Sequence, residues 1–523
     1  MVGPDALSAI NMVMPLTMLF SCASILIGLG GSILAAKAIG NHNKERVNHT
    51  FTIALIMLAF AGIAISTLAY SNSGAIVDLI CDDARIAPLA LEYTRIITAG
   101  ALFLVFSNGI NYFVSTDGSP GLVTKGVVAG AIANVVLDII LVKFMGIAGS
   151  AWATIINYII TLIVVSTHFF RKSCSYRLVN PLKGAVGYII SNLYEGLPLM
   201  LGNLLLGGAV FIINSMILEA AGADGIYIWA VCLQVLMLTF VILNGVGNAM
   251  LSIGGVLAGE KDYRGIELLT IQSLKLVGGV LSLFMLLVLL FPEVPAYMFG
   301  ADETPANINI ENPLRIFSLL LIPFAVTLVM RFLFQILEHR ILSLVMSAGQ
   351  LAGMITCLWI YTEVAPEVLW WSFPVSAVAL ILIQLVATSI IYLAKRDVSP
   401  VTLIPRHPEG ESSVDFSVAY NNMAINHAIE KIDEFLRQCE VTAGKIQIFK
   451  SGCGEIMHSL EQHAGESKKC FDIHIRVFGE EIHAVLRDAG KKIPQLHLND
   501  IPGTIEHKYM YGQNVLFMHF FKK

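Results

Sequence analysis

Two polar residues four positions apart, Asn134 and Asp138, lie inside an apolar stretch of the chain. In a helix that spacing is about one turn, so both side chains lie on the same face. A carboxylate and an amide oxygen so placed could bind Na⁺ through hard oxygen ligands or exchange a proton, and an ionisable group inside an apolar span is a candidate functional residue. The pattern therefore predicts a cation-coupling site. The alternative is an aspartate near a helix end that ties down the following loop through Lys143.

A few other polar groups interrupt apolar stretches and are candidates for lining a substrate cavity. Arg331 could face such a cavity and favour an anionic or zwitterionic substrate, or it could extend to the membrane surface or pair with Glu338. The uncharged polar groups could instead hydrogen bond to neighbouring helices. The cavity candidates are Asn108, Asn111, Asn203, Gln234 and Arg331.

The elements that carry these residues are apolar blocks long enough to cross a bilayer. The chain has 523 residues, of which 56% are hydrophobic and 14% charged, and a helix of about 20 apolar residues spans the hydrocarbon core. We therefore predict an all-α polytopic membrane protein. Its eleven expected spans are residues 11–36, 51–70, 96–114, 126–142, 147–170, 197–218, 226–258, 277–291, 316–337, 342–361 and 369–393.

The basic residues between these spans predict an orientation. Fourteen lysines and arginines fall on one side and four on the other, and the basic side is the cytoplasmic one. We expect an inner (plasma) membrane protein with a cytoplasmic C-terminus and the lipid bilayer as its surroundings. The net charge is −5 and the basic residues do not cluster into one face, which argues against a nucleic-acid partner. The eight cysteines show neither paired nor metal-ligand spacing, so we expect no metal site.

An internal repeat divides the membrane part into two lobes, residues 1–185 (the first lobe) and 186–396 (the second lobe). Several glycines and aspartates recur at one constant offset, and Arg95 recurs as Arg315 at nearly the same offset. On this register the counterpart of span 197–218 would precede Met1. We therefore expect either that the coding sequence upstream of Met1 encodes a further apolar helix or that this helix was lost. The recurring pairs are Gly3 and Gly222, Asp5 and Asp224, Gly28 and Gly247, and Gly40 and Gly259.

Five short motifs, in order, resemble the multidrug and toxic compound extrusion (MATE) family of secondary transporters over residues 1 to about 396. Each motif is weak alone, but together on two repeated units they are specific. They are the stretch from Val2 to Ala9, the glycine-rich Gly28 to Ser32 followed by Gly40, the Asp117-Gly-Ser-Pro120 turn, the pair Asn134 and Asp138, and Gly146 to Thr154.

This resemblance implies two six-helix lobes around a central cavity that opens alternately to either side. It implies export of small organic compounds in exchange for Na⁺ or H⁺, without a cofactor, and it adds Thr154 to Asn134 and Asp138 as a cation-coupling residue. Two other functions stay open. The cargo could be a lipid-linked or polysaccharide intermediate, as in other transporters of the superfamily, or the bundle could be a non-transporting sensor that signals through its tail.

The tail is polar and follows a proline-containing linker, residues 397–414, so residues 415–523 are predicted to form a separate α+β cytoplasmic domain. Its helix around Glu455 and the Asp-x-Gly sequence near residue 488 resemble the histidine-kinase-like ATPase fold of anti-sigma-factor kinases. The matching nucleotide-site residues are Glu455, Ser459, His463, Asp488 and Gly490.

The nucleotide site departs from that family in three places. Ser459 replaces the asparagine that would bind Mg²⁺, Lys492 replaces a glycine, and the last glycine box is reduced to Gly512-Gln-Asn514. We therefore expect no ATP turnover, so the protein is not an enzyme. The tail is interpreted as a regulatory domain, which either binds nucleotide without hydrolysing it or serves only to bind a cytoplasmic protein partner.

Overall fold

The computed structural model describes residues 4–80, 85–171, 174–181, 184–298, 310–405, 412–463, 470–478, 481–488, 504–510 and 513–521. The chain separates into two compact units. The membrane unit contains Met1–Phe170 and Tyr176–Ile404, and the tail unit contains Arg171–Ser175 and Pro405–Lys523.

The first lobe is a series of apolar helices. The first two run on through a π-helical turn, Ile25–Leu29, and form one long span. The helices are α1 (Pro4–Ser24), α2 (Gly30–Gly40), α3 (Lys44–Ser71), α4 (Ser73–Ile80), α5 (Ala87–Ala99), α6 (Ala101–Thr116), α7 (Pro120–Met145) and α8 (Ile147–Ser166).

The second lobe begins with a long helix, α9, that breaks at Gly222. The backbone there has φ 65° and ψ −159°, a conformation that only glycine adopts without strain. The break converts one 75-residue helix into two spans. The helices are α9 (Ala185–Gly259), α10 (Tyr263–Leu290), α11 (Glu293–Met298), α12 (Glu311–Ser318), α13 (Leu321–Ile336), α14 (Arg340–Val364) and α15 (Ser372–Ala394).

Ten described helices are long and apolar enough to cross a membrane, or eleven if the pair α5 and α6, bent by 50° at Gly100, forms one span. The eleven predicted spans match these helices in order. Most of these helices are longer than the predicted blocks, as at Lys44–Ser71 for the block 51–70, where polar residues extend the helix beyond the apolar core. The predicted span 96–114 is interrupted in the structure, since its helix starts at Ala87 and bends.

The repeat is visible in the local structure of corresponding helices. Helices α3 and α10 each contain 28 residues, and their first residues, Lys44 and Tyr263, correspond on the register that pairs Gly40 with Gly259. Asn43 caps α3 by accepting a hydrogen bond from the backbone N–H of Arg46, and Asp262 caps α10 in the same way from Gly265. Such side-chain caps satisfy a backbone donor that the first helical turn leaves without a partner. The same helix start is therefore encoded twice.

The tail unit is an antiparallel sheet with two helices, as its α+β pattern predicts. The strand order is β1-β2-β3-β5-β4. Apolar residues on one sheet face pack with both helices into a core of their own. The elements are β1 (Ser412–Ala419), α16 (Asn422–Gln438), α17 (Ala443–His463), β2 (Cys470–Phe478), β3 (Glu481–Asp488), β4 (Thr504–Met510) and β5 (Gln513–Phe521).

Candidate functional site

The hairpin of α7 and α8 positions the predicted cation-coupling residues. The two helices meet at Gly146, whose φ of 59° allows the tight reversal. Gly149 then lies so close to the backbone of Leu141 that a Cβ would overlap it. Gly130 contacts Asn157 equally closely further along the hairpin. Backbone contact at two levels fixes the register of α7 against α8.

Asp138 consequently faces hydroxyl groups of α8 and α5. Its carboxylate hydrogen bonds with Ser150, the first polar side chain of α8. Tyr93 of α5 hydrogen bonds with Thr154 and lies near Asp138. The Oδ1 atom of Asp138 is enclosed yet accepts no hydrogen bond from the described residues. The structure thus brings Asp138 and Thr154 into one polar cluster and leaves one carboxylate oxygen available.

Two further residues of α7, Asn134 and Lys143, were considered with Asp138 from the sequence. Asn134 is half-buried one helical turn from Asp138. Lys143 is exposed, and within the described ranges it makes no ion pair with Asp138. A carboxylate beside two hydroxyls and an amide offers oxygen ligands that suit a hard cation and can also carry a proton.

The uncharged cavity candidates are spread over both lobes. Asn108 and Asn111 are half-buried on α6, where Oδ1 of Asn111 is enclosed without a described partner. Asn203 and Gln234 are exposed on α9, and Asn203 donates to the carbonyl of Leu199 in its own helix at 3.3 Å. In the described part of the chain no hydrogen bond joins any two of these four amides.

Arg331 belongs to α13 and lies against α9 and α14. Its Nη1 donates to Oγ of Ser347 at 3.1 Å, its guanidinium lies 5.4 Å from the Phe332 ring centroid, and a Cβ placed on Gly202 would contact it at 3.3 Å. Its Nε is enclosed and has no described partner. Glu338, the alternative partner considered from the sequence, pairs instead with Lys37.

A buried ionic network joins the two lobes and was missed by the sequence analysis. Nζ of Lys37, on α2, lies 2.9 Å from Oε1 of Glu195 on α9 and 3.1 Å from Oε1 of Glu338. Arg340, at the start of α14, binds the other Glu195 oxygen at 2.5 Å. The Glu195 side chain is fully buried, and the Gln335 side chain donates to its backbone carbonyl at 2.9 Å.

The sequence contains one signal for this network, at Lys37. Lys37 directly follows the predicted span 11–36, yet it lies within a helix whose other side chains are apolar or small and is 9% exposed. Glu195 lies two residues before the predicted span 197–218, where a charged residue also fits a membrane boundary. An isolated charge between apolar neighbours was the signal that could have identified Lys37.

Close backbone contacts flank the network and follow the repeat. A Cβ on Gly40 would overlap the backbones of Val256 and Glu260, whereas one on Gly259 would overlap those of Lys37 and Asn41. On the register that pairs Gly40 with Gly259, Val256 and Glu260 are the counterparts of Lys37 and Asn41. The contact is therefore reciprocal, which is the pattern expected of residues next to a two-fold axis.

The nucleotide-site residues of the tail can be placed only in part. Both carboxylate oxygens of Asp488, which is 2% exposed, accept hydrogen bonds from the chain itself, one from Tyr420 and one, at 2.9 Å, from Asn514. Desolvation and the hydrogen bond to Asp488 raise the pKa of the Tyr420 hydroxyl, so it remains a donor. Glu455 is exposed and Ser459 half-buried on α17. Gly490 and the side chain of His463 lie outside the described residues.

Comparison with solved structures identifies the fold. An outward-facing multidrug resistance MATE transporter of the MOP superfamily superimposes with a TM-score of 0.68 at 22% identity, covering 73% of this chain and 87% of that one. A MOP-superfamily transporter from Pyrococcus furiosus, described as having a binding pocket of reverse polarity, gives 0.69 at 23% identity, covering 75% and 90%. These two comparisons do not confirm the expected ATPase fold of the tail.

Two curated relatives are similar in sequence. The probable multidrug resistance protein YoeA of Bacillus subtilis is 25% identical over 176 residues, 32% of this chain and 38% of YoeA. The multidrug export protein MepA of Staphylococcus saprophyticus is 21% identical over 214 residues, 40% of this chain and 47% of MepA. The aligned regions thus span less than half the length of either relative. The MatE family profile matches residues 1–140 and 198–359, more than half of the chain, and the protein therefore belongs to the MatE family.

Proposed function

We propose that this protein exports small organic compounds by secondary active transport, coupled to Na⁺ or H⁺ at Asp138. The observation that carries the proposal is the enclosed Oδ1 of Asp138, which no described donor reaches, beside the hydroxyls of Ser150 and Thr154. An acidic oxygen held without a donor in an apolar span is costly. Its retention is explained if a proton or cation occupies it during the transport cycle.

The ionic network supports alternating access. It joins the first lobe to the second through Lys37, Glu195, Glu338 and Arg340, near the ends of α2 and α13. For the lobes to rock apart at this end, these contacts must break. We interpret the described conformation as the one closed at this end, and the basic-residue asymmetry assigns this end to the cytoplasm.

The test is Asp138→Asn, which keeps the shape of the side chain but removes its exchangeable charge. Efflux of a fluorescent organic cation from cells expressing the variant should fall to the level of cells without the protein. Asp262→Asn is the matched control, because asparagine is an equally good helix cap and should preserve both folding and efflux. Normal efflux by Asp138→Asn, with equal membrane abundance, would contradict the proposal.

The coupling ion can be separated in proteoliposomes that contain the purified protein. An imposed pH gradient without Na⁺ and an imposed Na⁺ gradient at constant pH are applied separately. The gradient that drives uptake identifies the ion. If both gradients are inactive but the dye still moves down its own gradient, transport is uncoupled and Asp138 has no coupling role.

A second candidate function keeps the fold but changes the cargo to an anionic or zwitterionic compound, such as a lipid-linked intermediate. The observation that favours it is Arg331, a cation enclosed by Gly202, Ser347 and Phe332 in the second lobe. The structural neighbour from Pyrococcus furiosus, with its pocket of reverse polarity, offers a precedent for a changed cargo. Competition of dye efflux by anionic compounds at low concentration would support this candidate.

For the tail we propose an interaction domain without ATP turnover. Asp488, the residue that would contact adenine, already accepts hydrogen bonds from Tyr420 and Asn514. A sensor function, in which the bundle does not transport and the tail signals, would require that a ligand of the membrane unit alter binding of a tail partner. Measuring that dependence separates the sensor from both transport functions.

A further inference from the structure

Two histidines and a glutamate of the tail unit converge on the open face of its sheet. Strands β3 and β5 pair antiparallel with His483 directly opposite His519, and Glu481 lies two residues before His483 on the same strand. Side chains at positions i and i+2 of a strand lie on the same sheet face. Three potential metal ligands from two strands that are distant in the sequence therefore meet at one point, which is why their spacing gave no metal motif.

The three side chains point their ligand atoms at each other. Nε2 of His483 lies 3.0 Å and Nε2 of His519 3.4 Å from the same oxygen, Oε2 of Glu481. All three ligand atoms lie within 4.8 Å of one another. The two imidazole rings are 4.3 Å apart between centroids, with an interplanar angle of 36°.

These separations are close to those of a metal centre. A divalent ion with ligand bonds of about 2.0–2.1 Å in tetrahedral geometry holds its ligand atoms about 3.3 Å apart. The two measured separations from Oε2 fall on either side of that value, so small side-chain rotations would admit an ion. Without one, Nε2 of His483 hydrogen bonds with Oε2 of Glu481, and Nε2 of His519 lies 3.4 Å from the same oxygen.

The surroundings favour a three-ligand site open to solvent. The side chains of His483, Glu481 and His519 are 48%, 43% and 30% exposed, so an ion can enter and a fourth position remains for water. A further histidine, His474 on β2, is not counted as a ligand, because its Nε2 accepts a hydrogen bond at 2.7 Å from Nε of Arg476. Arg476 pairs across the strands with His483, and its charge would lower the affinity of the site for a cation.

The ligand types indicate the class of metal. Two imidazole nitrogens with one carboxylate oxygen suit Zn²⁺ and neighbouring first-row transition ions, whereas Mg²⁺ and Ca²⁺ prefer sites made of oxygen ligands. We propose that Glu481, His483 and His519 bind one divalent transition-metal ion of the Zn²⁺ class, with a coordination position open to water or an external ligand.

The experiment titrates Zn²⁺ into the full chain, purified in detergent with its affinity tag removed and metal-free, by isothermal calorimetry. The wild type should bind one ion per chain, and a large excess of Mg²⁺ should not displace it. His483→Gln, His519→Gln and Glu481→Gln should each weaken binding at least about tenfold, because each removes one of three ligands. Thermal unfolding without metal confirms that each variant is folded.

The matched control is His427→Gln, which removes an exposed histidine that also lies beside a glutamate, Glu430, at 4.0 Å in the same unit. It should leave Zn²⁺ binding unchanged. Binding by His519→Gln with wild-type affinity, or an equal loss in His427→Gln, would overturn the proposal, because the ion would then be held by scattered surface histidines. Absence of Zn²⁺ binding to the wild type would overturn it as well.

Discussion

The two lobes repeat the same backbone plan but carry different chemistry at corresponding positions. Helices α3 and α10 have the same length and the same kind of cap. By contrast, on the register that pairs Arg95 with Arg315, Asp138 of the first lobe corresponds to Leu358, which is fully buried. The acid with an available oxygen is therefore present in the first lobe and replaced by an apolar contact in the second.

At a second pair of corresponding positions, the charged residue lies in the second lobe and the uncharged one in the first. On the same register Asn111 of α6 corresponds to Arg331 of α13, and each has an enclosed polar atom without a described partner. The first lobe thus carries an acid and an amide where the second carries an apolar residue and a base. In the function proposed above, ion coupling belongs to the first lobe and selection of cargo charge to the second.

The largest expected effect concerns what holds the lobes together. Glu195→Gln removes the fully buried partner of both Lys37 and Arg340 and should destabilise the folded protein by about 3–5 kcal/mol, because both cations then have only the exposed Glu338 nearby. Thermal unfolding in detergent measures the change. The matched control is Glu338→Gln, whose side chain is 59% exposed and which should cost about 1 kcal/mol or less. Equal effects would show that burial of the network is unimportant.

A smaller effect is expected when the second lobe is made to match the first. Arg331→Asn should raise the affinity for a cationic substrate on the order of tenfold, because a cation about 10 Å from Arg331 at an effective dielectric of about 20 is repelled by roughly 1.7 kcal/mol. Binding of a fluorescent cation to the purified protein measures this. Arg331→Lys should show little gain, since it keeps the charge. A gain of equal size in both variants would assign the effect to lost volume.

The smallest expected effect is in the tail. Glu455→Ala, at an exposed position of α17, should leave both efflux and phosphate release from ATP unchanged. The reason is that we expect an ion gradient, and not ATP hydrolysis, to drive the movement of the two lobes. Parallel efflux and phosphate-release assays on the same preparation measure this. Loss of ATP hydrolysis in Glu455→Ala would make the tail an enzyme and remove the need for a coupling acid in the first lobe.

Much of the fold could be predicted because the bilayer imposes a simple rule on composition. Runs such as residues 51–70 must be helical, since an apolar segment in hydrocarbon has to satisfy its own backbone hydrogen bonds. The break at Gly100 could not be located in this way, because hydropathy does not change where the helix bends. The α+β character of the tail was predicted, whereas the helix predicted around Glu455 already begins at Ala443, twelve residues before it.

The candidate sites were less predictable because they depend on contacts between distant residues. Asn134 and Asp138 were identifiable since their spacing already places them on one helical face. Neither Ser150 nor Tyr93 could be assigned to Asp138 from spacing alone, because the register between helices is fixed by close contacts such as that of Gly149 with Leu141. The same reason concealed the pairing of Lys37 with Glu195.

The reciprocal contact of Gly40 and Gly259 has a consequence for the ancestry of the chain. A residue beside a two-fold axis meets its own copy, so this contact is the one expected in a homodimer of identical halves before gene fusion. In such a homodimer every substitution near the axis would appear twice. After fusion the halves could diverge, and one now has Lys37 where the other has Val256. A single lysine can thus be matched to a single buried glutamate, an arrangement that two identical subunits could not make.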